Sequence, residues 1–239
     1  MLAKGYAVRG IDNLMAGTRA NIPPGVEFFE CDIRDPAIEP WFEGVGTVFH
    51  LAARNCLADC MEHPLETAAI NVSGTVQVLE ACRKGRVRKI VYADTSAEYE
   101  GIEQMPCAED RIAPIGTYAV SKRGGALFVE TDSKLHGPAP TVLRYFNVYG
   151  PAQDFRRVMP PVMSAFLLKM MAGERPTIFG SGEKRRDFVY VDDVNRFHLL
   201  ALSDPRTDGR TFNVGSGVSY SIREVFDKCA RALGIDCEP

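Results

Sequence analysis

Short apolar runs of strand length alternate with stretches of helical periodicity over residues 1 to 150, and this alternation most restricts what the chain can fold into. The runs are YAVRGID, VEFFECD, TVFHLAA, KIVYADTS and TVLRYFNVYG; a helical pattern from about Pro64 to Lys84 and another around Tyr118 separate the later ones. Alternating strand and helix signals argue for parallel βαβ units with right-handed crossovers. The strands are mostly continuous in apolar character, as expected when helices cover both faces of a sheet. The expectation is an α/β protein with a doubly wound parallel sheet.

After Pro151 the texture changes to RRVMPPVMSAFLLKMMAGERPTIFGSGEKRRDFVYVDD, rich in Pro, Gly and Arg around one amphipathic helix. This predicts a smaller, interleaved lobe over residues 151 to 239. Its later helices are VNRFHLLALSD and SIREVFDKCARALG, the second opening with Ser221 and Glu224 at capping-box spacing. No internal repeat or low-complexity segment is visible.

With 46% apolar residues, 25% charged residues and a formal net charge of −3, the composition is that of a soluble globular protein. No run of about 18 apolar residues is present, so no membrane span is expected, and MLAKGYAVRGIDN shows no secretory signal. Seven cysteines without any C-x-x-C argue against a disulfide framework and fit a reducing cytoplasm. Cys56 and Cys60, with His50 and His63 nearby, match no common zinc spacing, and no metal is expected. The absence of a basic tract gives no electrostatic footprint for nucleic acid.

In open parallel sheets ligands bind beyond the carboxyl ends of the strands. Those ends are polar here: Asp12 and Asn13, then Asp32, then Thr95 and Ser96, then Asn147. Any one could cap the next helix; together they line one rim. Asp12 is placed to accept hydrogen bonds from an adenosine ribose, which favours NAD over NADP because a 2′-phosphate would meet a negative charge. Tyr118 and Lys122, four apart, would share a helical face. Ser96 ends the strand before that helix, so its hydroxyl and the Tyr118 phenol could converge on one substrate oxygen.

The motifs TSA and YAVSK, with GIDNL, CDIRD, FHLAA, NVSGT, LRYFNVYGP, RRDFVYVDDV and FNVGSG, resemble the extended short-chain dehydrogenase/reductase family, over essentially the whole chain. Within it the likeness is to NAD-dependent nucleotide-sugar epimerases of the UDP-glucose 4-epimerase kind. The resemblance implies a Rossmann-like fold, NAD as cofactor and a UDP-sugar as substrate. It makes Tyr118 the acid/base, Lys122 its partner and ribose ligand, and Ser96 the hydroxyl that orients the substrate. It also puts Asp12, Asn13, Asp32 and Ile33 around the adenosine and Leu51, Ala52 and Ala53 along the cofactor's backbone track. Asn71 would hold the active-site geometry, Tyr145 and Phe146 would lie near the nicotinamide, and Asn147 would touch the substrate diphosphate. Val158, Phe179 and Arg186 match positions that grip the nucleotide, Phe179 against uracil and Arg186 on phosphate. The Tyr118 and Asn71 helices form a dimer bundle in many relatives, and Gly124 with Gly125 would permit close approach, so a homodimer is expected.

Two departures from the pattern bear on function. DTSAEYEG leaves both Thr95 and Ser96 as candidates for the active hydroxyl, with Ser96 favoured. Related 4,6-dehydratases carry Thr-Asp-Glu here; Ala97 stands against that Asp and cannot protonate a leaving hydroxyl, whereas Glu98 matches the Glu. Epimerisation is therefore expected over dehydration; decarboxylation or 4-reduction is the runner-up among enzymes, and a non-catalytic nucleotide-sugar-binding subunit is the rival from another class. The second departure is that the family's opening strand and G-x-x-G-x-x-G turn have no counterpart before MLAKGYAV, and neither FGSGEK nor VGSGVS replaces them. Further phosphate contacts would also be expected beyond LGIDCEP. Residues 1 to 239 alone are accordingly expected to be poorly soluble or partly unfolded, to bind NAD negligibly and to show no epimerase activity.

Overall fold

The computed structural model describes residues 1–157 and 159–239, so the expectation for Val158 lies outside the described residues. The chain forms two compact units, Met1–Tyr145 with Asn195–Val214, and Phe146–Val194 with Gly215–Pro239.

In the first unit, β1 (Val8–Asp12) pairs in parallel with β2 (Val26–Glu30), Val8 opposite Val26 and Asp12 opposite Glu30. After β3 (Thr47–His50) come α1 (Leu57–Glu62), α2 (Pro64–Ala68) and α3 (Thr75–Lys84). The helix expected from Pro64 to Lys84 does run that length, but Ala69–Gly74 widens into a π-turn between α2 and α3. Every residue of β4 (Lys89–Thr95) is buried. It leads through a 3-10 turn, Ser96–Tyr99, to α4 (Thr117–His136), which ends at Gly137 in the left-handed conformation that glycine adopts without a Cβ penalty.

The run TVLRYFNVYG divides between the two units: β5 (Ala139–Tyr145) joins the first, and β6 (Asn147–Tyr149) the second. The rest of the chain supplies α5 (Val162–Met171), β7 (Arg185–Tyr190), α6 (Val191–Ser203), β8 (Arg210–Val214), β9 (Ser219–Ser221) and α7 (Ile222–Leu233). In the first unit β3, β4, β5 and β8 form a four-stranded parallel sheet in that order, beside the separate β1–β2 pair. Among the described residues no strand pairs with the second edge of β1 or of β3. The architecture is the expected α/β type with parallel sheets. The unit boundaries fall at 145/146, 194/195 and 214/215 rather than at 150, because β8 returns to pair with β5.

Ile90 and Tyr92 of β4, Val142 of β5, Val78, Leu79 and Cys82 of α3, and Ala126 and Val129 of α4 belong to one buried core. A large apolar side chain buried in this way contributes about 1.5–3 kcal/mol. In the second unit β6 pairs in parallel with β7, which pairs antiparallel with β9. Its core joins Phe166 and Met170 of α5 to Phe188 of β7 and to Val225, Phe226 and Cys229 of α7. The α7 capping box is formed: Glu224 N donates to Ser221 Oγ at 3.1 Å and Ser221 N to Glu224 Oε2 at 2.7 Å.

Candidate active site

A cavity of about 140 Å³ opens in the first unit where the carboxyl ends of β1, β2 and β3 meet. Asp12 and Asn13 line it after β1, Asp32 and Ile33 after β2, and Leu51, Ala52 and Ala53 after β3. Met15, Ala16, Gly17, Cys31 and Ile70 complete the wall. Of these, Ala16 and Gly17 follow Asn13 at a distance of three and four residues, small side chains that leave room beside the strand end. The volume suits part of a nucleotide rather than a whole dinucleotide, since complete ligand sites run to about 300 Å³ and more.

The chemistry of this wall fits an adenosine. Asp12 is exposed at the tip of β1, one oxygen accepting from Leu14 N at 2.6 Å. Asp32 is gripped through both oxygens by the Arg34 guanidinium, at 2.9 and 2.8 Å, and receives Asn13 Nδ2 at 3.2 Å. Arg34 holds the Asp32 carboxyl down at about 2, so it is a carboxylate at any working pH. Ile33, Leu51 and Ile70 provide apolar surface between these polar groups.

The candidate catalytic side chains lie on β4 and α4. Thr95 is buried, and its Oγ1 accepts from Ala97 N at 3.1 Å, capping the turn; Ser96 next to it is only half-buried. This turn packs against α4. Tyr118 is the second residue of α4 and half-buried. Lys122 is 2% exposed, and its Nζ sits 4.1 Å from the centroid of the Tyr92 ring. The Tyr92 hydroxyl donates to the Lys122 carbonyl at 3.1 Å. Burial lowers the Lys122 ammonium to about 8, opposed by the negative charges of Asp94 and then Glu98.

Asn71, in the π-turn, is 1% exposed and does not reach the cavity wall. Its Oδ1 accepts from Arg54 N at 2.8 Å, while its Nδ2 donates to Arg54 O at 3.0 Å and to Ser121 Oγ at 2.9 Å. Ser121 Oγ in turn donates to the Tyr118 carbonyl at 2.8 Å. One buried amide thereby ties the loop after β3 to the first turn of α4. Thr75 Oγ1 donates to Asn71 O at 2.7 Å, so the 2.9 Å contact between Thr75 and His50 is donated by His50 Nε2. Burial, with the Lys122 charge adding to it, lowers His50 to about 3 and keeps it neutral.

Tyr145 Oη and His198 Nε2 are 2.5 Å apart. Burial pushes the phenol up and the imidazole down, so the neutral phenol donates to the neutral ring. The remaining expected residues belong to the second unit. Phe146 is half-buried, and Asn147 Nδ2 donates to the Asp187 carbonyl at 2.7 Å. Phe179 is 89% exposed, and Arg186 is exposed with one guanidinium nitrogen on the Arg185 carbonyl at 2.8 Å.

Residues 1–215 match the NAD dependent epimerase/dehydratase family. The chain belongs to that family. It is 33% identical over 248 residues to the UDP-glucose 4-epimerase of Mycolicibacterium smegmatis, covering 100% of this chain and 79% of that one. The crystal structure of UDP-glucose 4-epimerase from Thermotoga maritima with UDP-glucose superposes with a TM-score of 0.95 at 35% identity, covering 100% of this chain and 78% of that chain. That of the Thermus thermophilus UDP-glucose 4-epimerase complex with NAD gives 0.91 at 33% identity, covering 99% and 78%.

One feature of this family member was not foreseen from its sequence. Glu98 is fully buried and turned inward onto Arg144, with Asp94 on the same guanidinium. The acid aligned with a dehydratase glutamate therefore faces the protein interior. Among the described residues no cluster of His, Cys, Asp or Glu could hold a metal ion, and no helix is long and apolar enough to cross a membrane.

Proposed function

We propose that these residues serve, in the complete enzyme, the NAD-dependent epimerisation of a nucleotide sugar at C4, of the UDP-glucose/UDP-galactose type. The observation that carries the proposal is the buried Lys122 ammonium, fixed on the Tyr92 ring one helical turn beyond Tyr118, on a helix packed against the Ser96 turn. A free phenol titrates near about 10; a fixed ammonium beside it favours phenolate and brings it toward neutrality, where a base can both take and return a proton. Tyr118 then removes the proton of the sugar 4-hydroxyl and later restores it. Ser96, whose hydroxyl is not committed to capping the turn as that of Thr95 is, orients the reacting oxygen.

The cavity residues Asp12, Asn13, Asp32 and Ile33 would hold the adenosine of NAD, and Leu51, Ala52 and Ala53 its backbone track. NAD, when bound, supplies a reversible hydride acceptor for the sugar C4. Asn71 serves it indirectly, through the loop that it anchors. Tyr145 and Phe146 are the proposed neighbours of the nicotinamide. In the second unit Phe179 offers an open aromatic face to uracil and Arg186 a planar fork to phosphate, with Asn147 as a further diphosphate contact. Dehydration is disfavoured because Ala97 has no proton to give and Glu98 faces inward. On its exposed face α4 carries Val120, Leu127 and Phe128, an apolar stripe at helical spacing, which supports a homodimer through this helix. All seven cysteines are free, in keeping with a reducing cytoplasm.

Proton NMR of UDP-glucose incubated with the full-length enzyme and NAD tests the reading. UDP-galactose is the expected product; a 4-keto or pentose product would overturn it. In the full-length enzyme Tyr118→Phe should leave the fold and NAD content intact and lower turnover by about 100-fold or more.

A further inference from the structure

Tyr92 and Asp94 are two residues apart in β4 and so point to the same face of the sheet. Tyr92 faces α4, since its ring carries the Lys122 ammonium and its hydroxyl meets the Lys122 carbonyl. Asp94 therefore faces the same helix, one step nearer the carboxyl end of the strand. Arg144 stands opposite it in register on β5. Its Nε lies 3.3 Å from Asp94 Oδ2 and 2.8 Å from Glu98 Oε2. Its Nη1 is committed elsewhere, to Tyr99 Oη at 3.0 Å and to the Glu109 carbonyl at 2.7 Å. Asp94 Oδ1 and both Glu98 oxygens are buried with no hydrogen-bonding partner, Glu98 Oε2 having only its ion pair with Arg144.

Two buried carboxyl groups thus share one guanidinium, which leaves a negative charge unmatched whenever both are ionised. The other groups around Lys122 cannot match it. His50 is neutral, Tyr92 presents a ring face, Asn71 and Ser121 carry no charge, and Arg123 is paired with Glu130 at 2.9 Å. Besides Arg144, Lys122 is the buried cation that answers Asp94, while Arg123, though paired with Glu130, also bears on Glu98.

We propose that Asp94 and Glu98 act as positioning residues for the active-site lysine: their surplus negative charge keeps the dehydrated Lys122 side chain an ammonium. A buried amine loses its proton readily because burial disfavours the charged form, and a neutral amine gives a phenolate no support. The shifts agree in direction. Burial depresses Lys122 while Asp94 and Glu98 oppose that, and burial raises Asp94 and, with the Asp94 charge adding, takes Glu98 up to about 7. The consequence for catalysis rests on the acid/base role proposed for Tyr118; the charge state of Lys122 does not, and can be read without turnover.

The test is a titration of the protein labelled with carbon-13 at lysine Cε, followed by NMR from about pH 6 to about 11, with the Lys122 signal identified by its loss in Lys122→Met. Glu98→Gln and Asp94→Asn should each lower the Lys122 pKa by about 1 unit, a tenfold loss of proton affinity. If both fold cooperatively and Lys122 titrates within about 0.2 units of the parent protein, the proposal is overturned. Should Asp94→Asn not fold, Glu98→Gln decides by the same criterion. Coupling between sites is reciprocal, so in protein labelled instead with carbon-13 at the Asp and Glu carboxyls Lys122→Met must raise the titration of the Asp94–Glu98 pair; an unmoved pair counts equally against the proposal.

Discussion

The Lys122 ammonium rests 4.1 Å above the Tyr92 ring, and the hydroxyl of that same ring meets the Lys122 carbonyl at 3.1 Å. One aromatic side chain on β4 thus holds both ends of the residue that tunes the proposed base.

Replacing that ring should therefore loosen the lysine's proton. A desolvated cation–π contact is worth about 0.5–2 kcal/mol, so Tyr92→Leu should lower the Lys122 pKa by about 0.5–1 unit. Tyr92→Phe, which keeps the ring, should leave it nearly unchanged. The same lysine NMR titration separates the two, and equal effects would sink the cation–π account.

The close approach of α4 to β4 and to the π-turn depends on Gly125. A Cβ there would fall 2.3 Å from Tyr92 Oη and 2.8 Å from the Asn71 carbonyl. Overpacking of this kind costs about 1–3 kcal/mol, against a helix-propensity gain of about 1 kcal/mol. Gly125→Ala should lower the melting temperature. At Gly124 the nearest obstacle is Val72 Cγ2 at 3.1 Å, the tip of one side chain, so Gly124→Ala should be neutral or stabilising. Neighbours within the chain thus account for Gly125 without a dimer contact.

Asn71→Ala would leave Arg54 N and O without their amide partner and free Ser121 from the loop after β3. Buried groups stranded in this way cost about 1–3 kcal/mol each. We expect a stability loss of about 2–4 kcal/mol in urea denaturation, and weaker NAD binding by calorimetry because the Leu51–Ala53 track is no longer anchored. Unchanged affinity would mean that the loop keeps its shape unaided.

Glu98 gives a pH signature. Burial, with the Asp94 charge adding, raises it from the ordinary 4.5 to about 7. The folded state therefore binds more protons than the unfolded chain across that window, and its contribution to stability is lost as pH rises through about 7. Glu98→Gln cannot ionise, so its melting temperature should gain on the parent protein between about pH 4.5 and 7.5. A gap that stays constant over this range would show that the carboxyl does not titrate there.

The cavity was legible in the sequence because Asp12, Asn13 and Asp32, each able singly to cap a turn, together mark one rim against apolar strands. The Tyr118–Lys122 pair was legible as i, i+4 spacing. The π-turn was not, since nothing in AINVSG breaks helical periodicity; the turn is set by tertiary contacts of Asn71. Nor was the inward turn of Glu98, which depends on Arg144 arriving opposite Asp94 from a strand 50 residues later. The split of TVLRYFNVYG into strands of two sheets was hidden for a similar reason: periodicity records that a run is apolar, and partners decide which sheet it joins.

The return of β8 to β5 also sets an order of events during synthesis. A ribosome that has delivered β5 leaves the outer edge of that strand open, and residues 146–209 must emerge before β8 can pair with it. Until Val214 is made, the nascent protein carries an unpaired parallel edge, the kind of surface on which chains misassociate and which chaperones cover. Mutations that slow the assembly of α5, β7 or α6 would prolong that exposure, and would be felt as lost yield in the cell rather than as lost activity in the folded molecules.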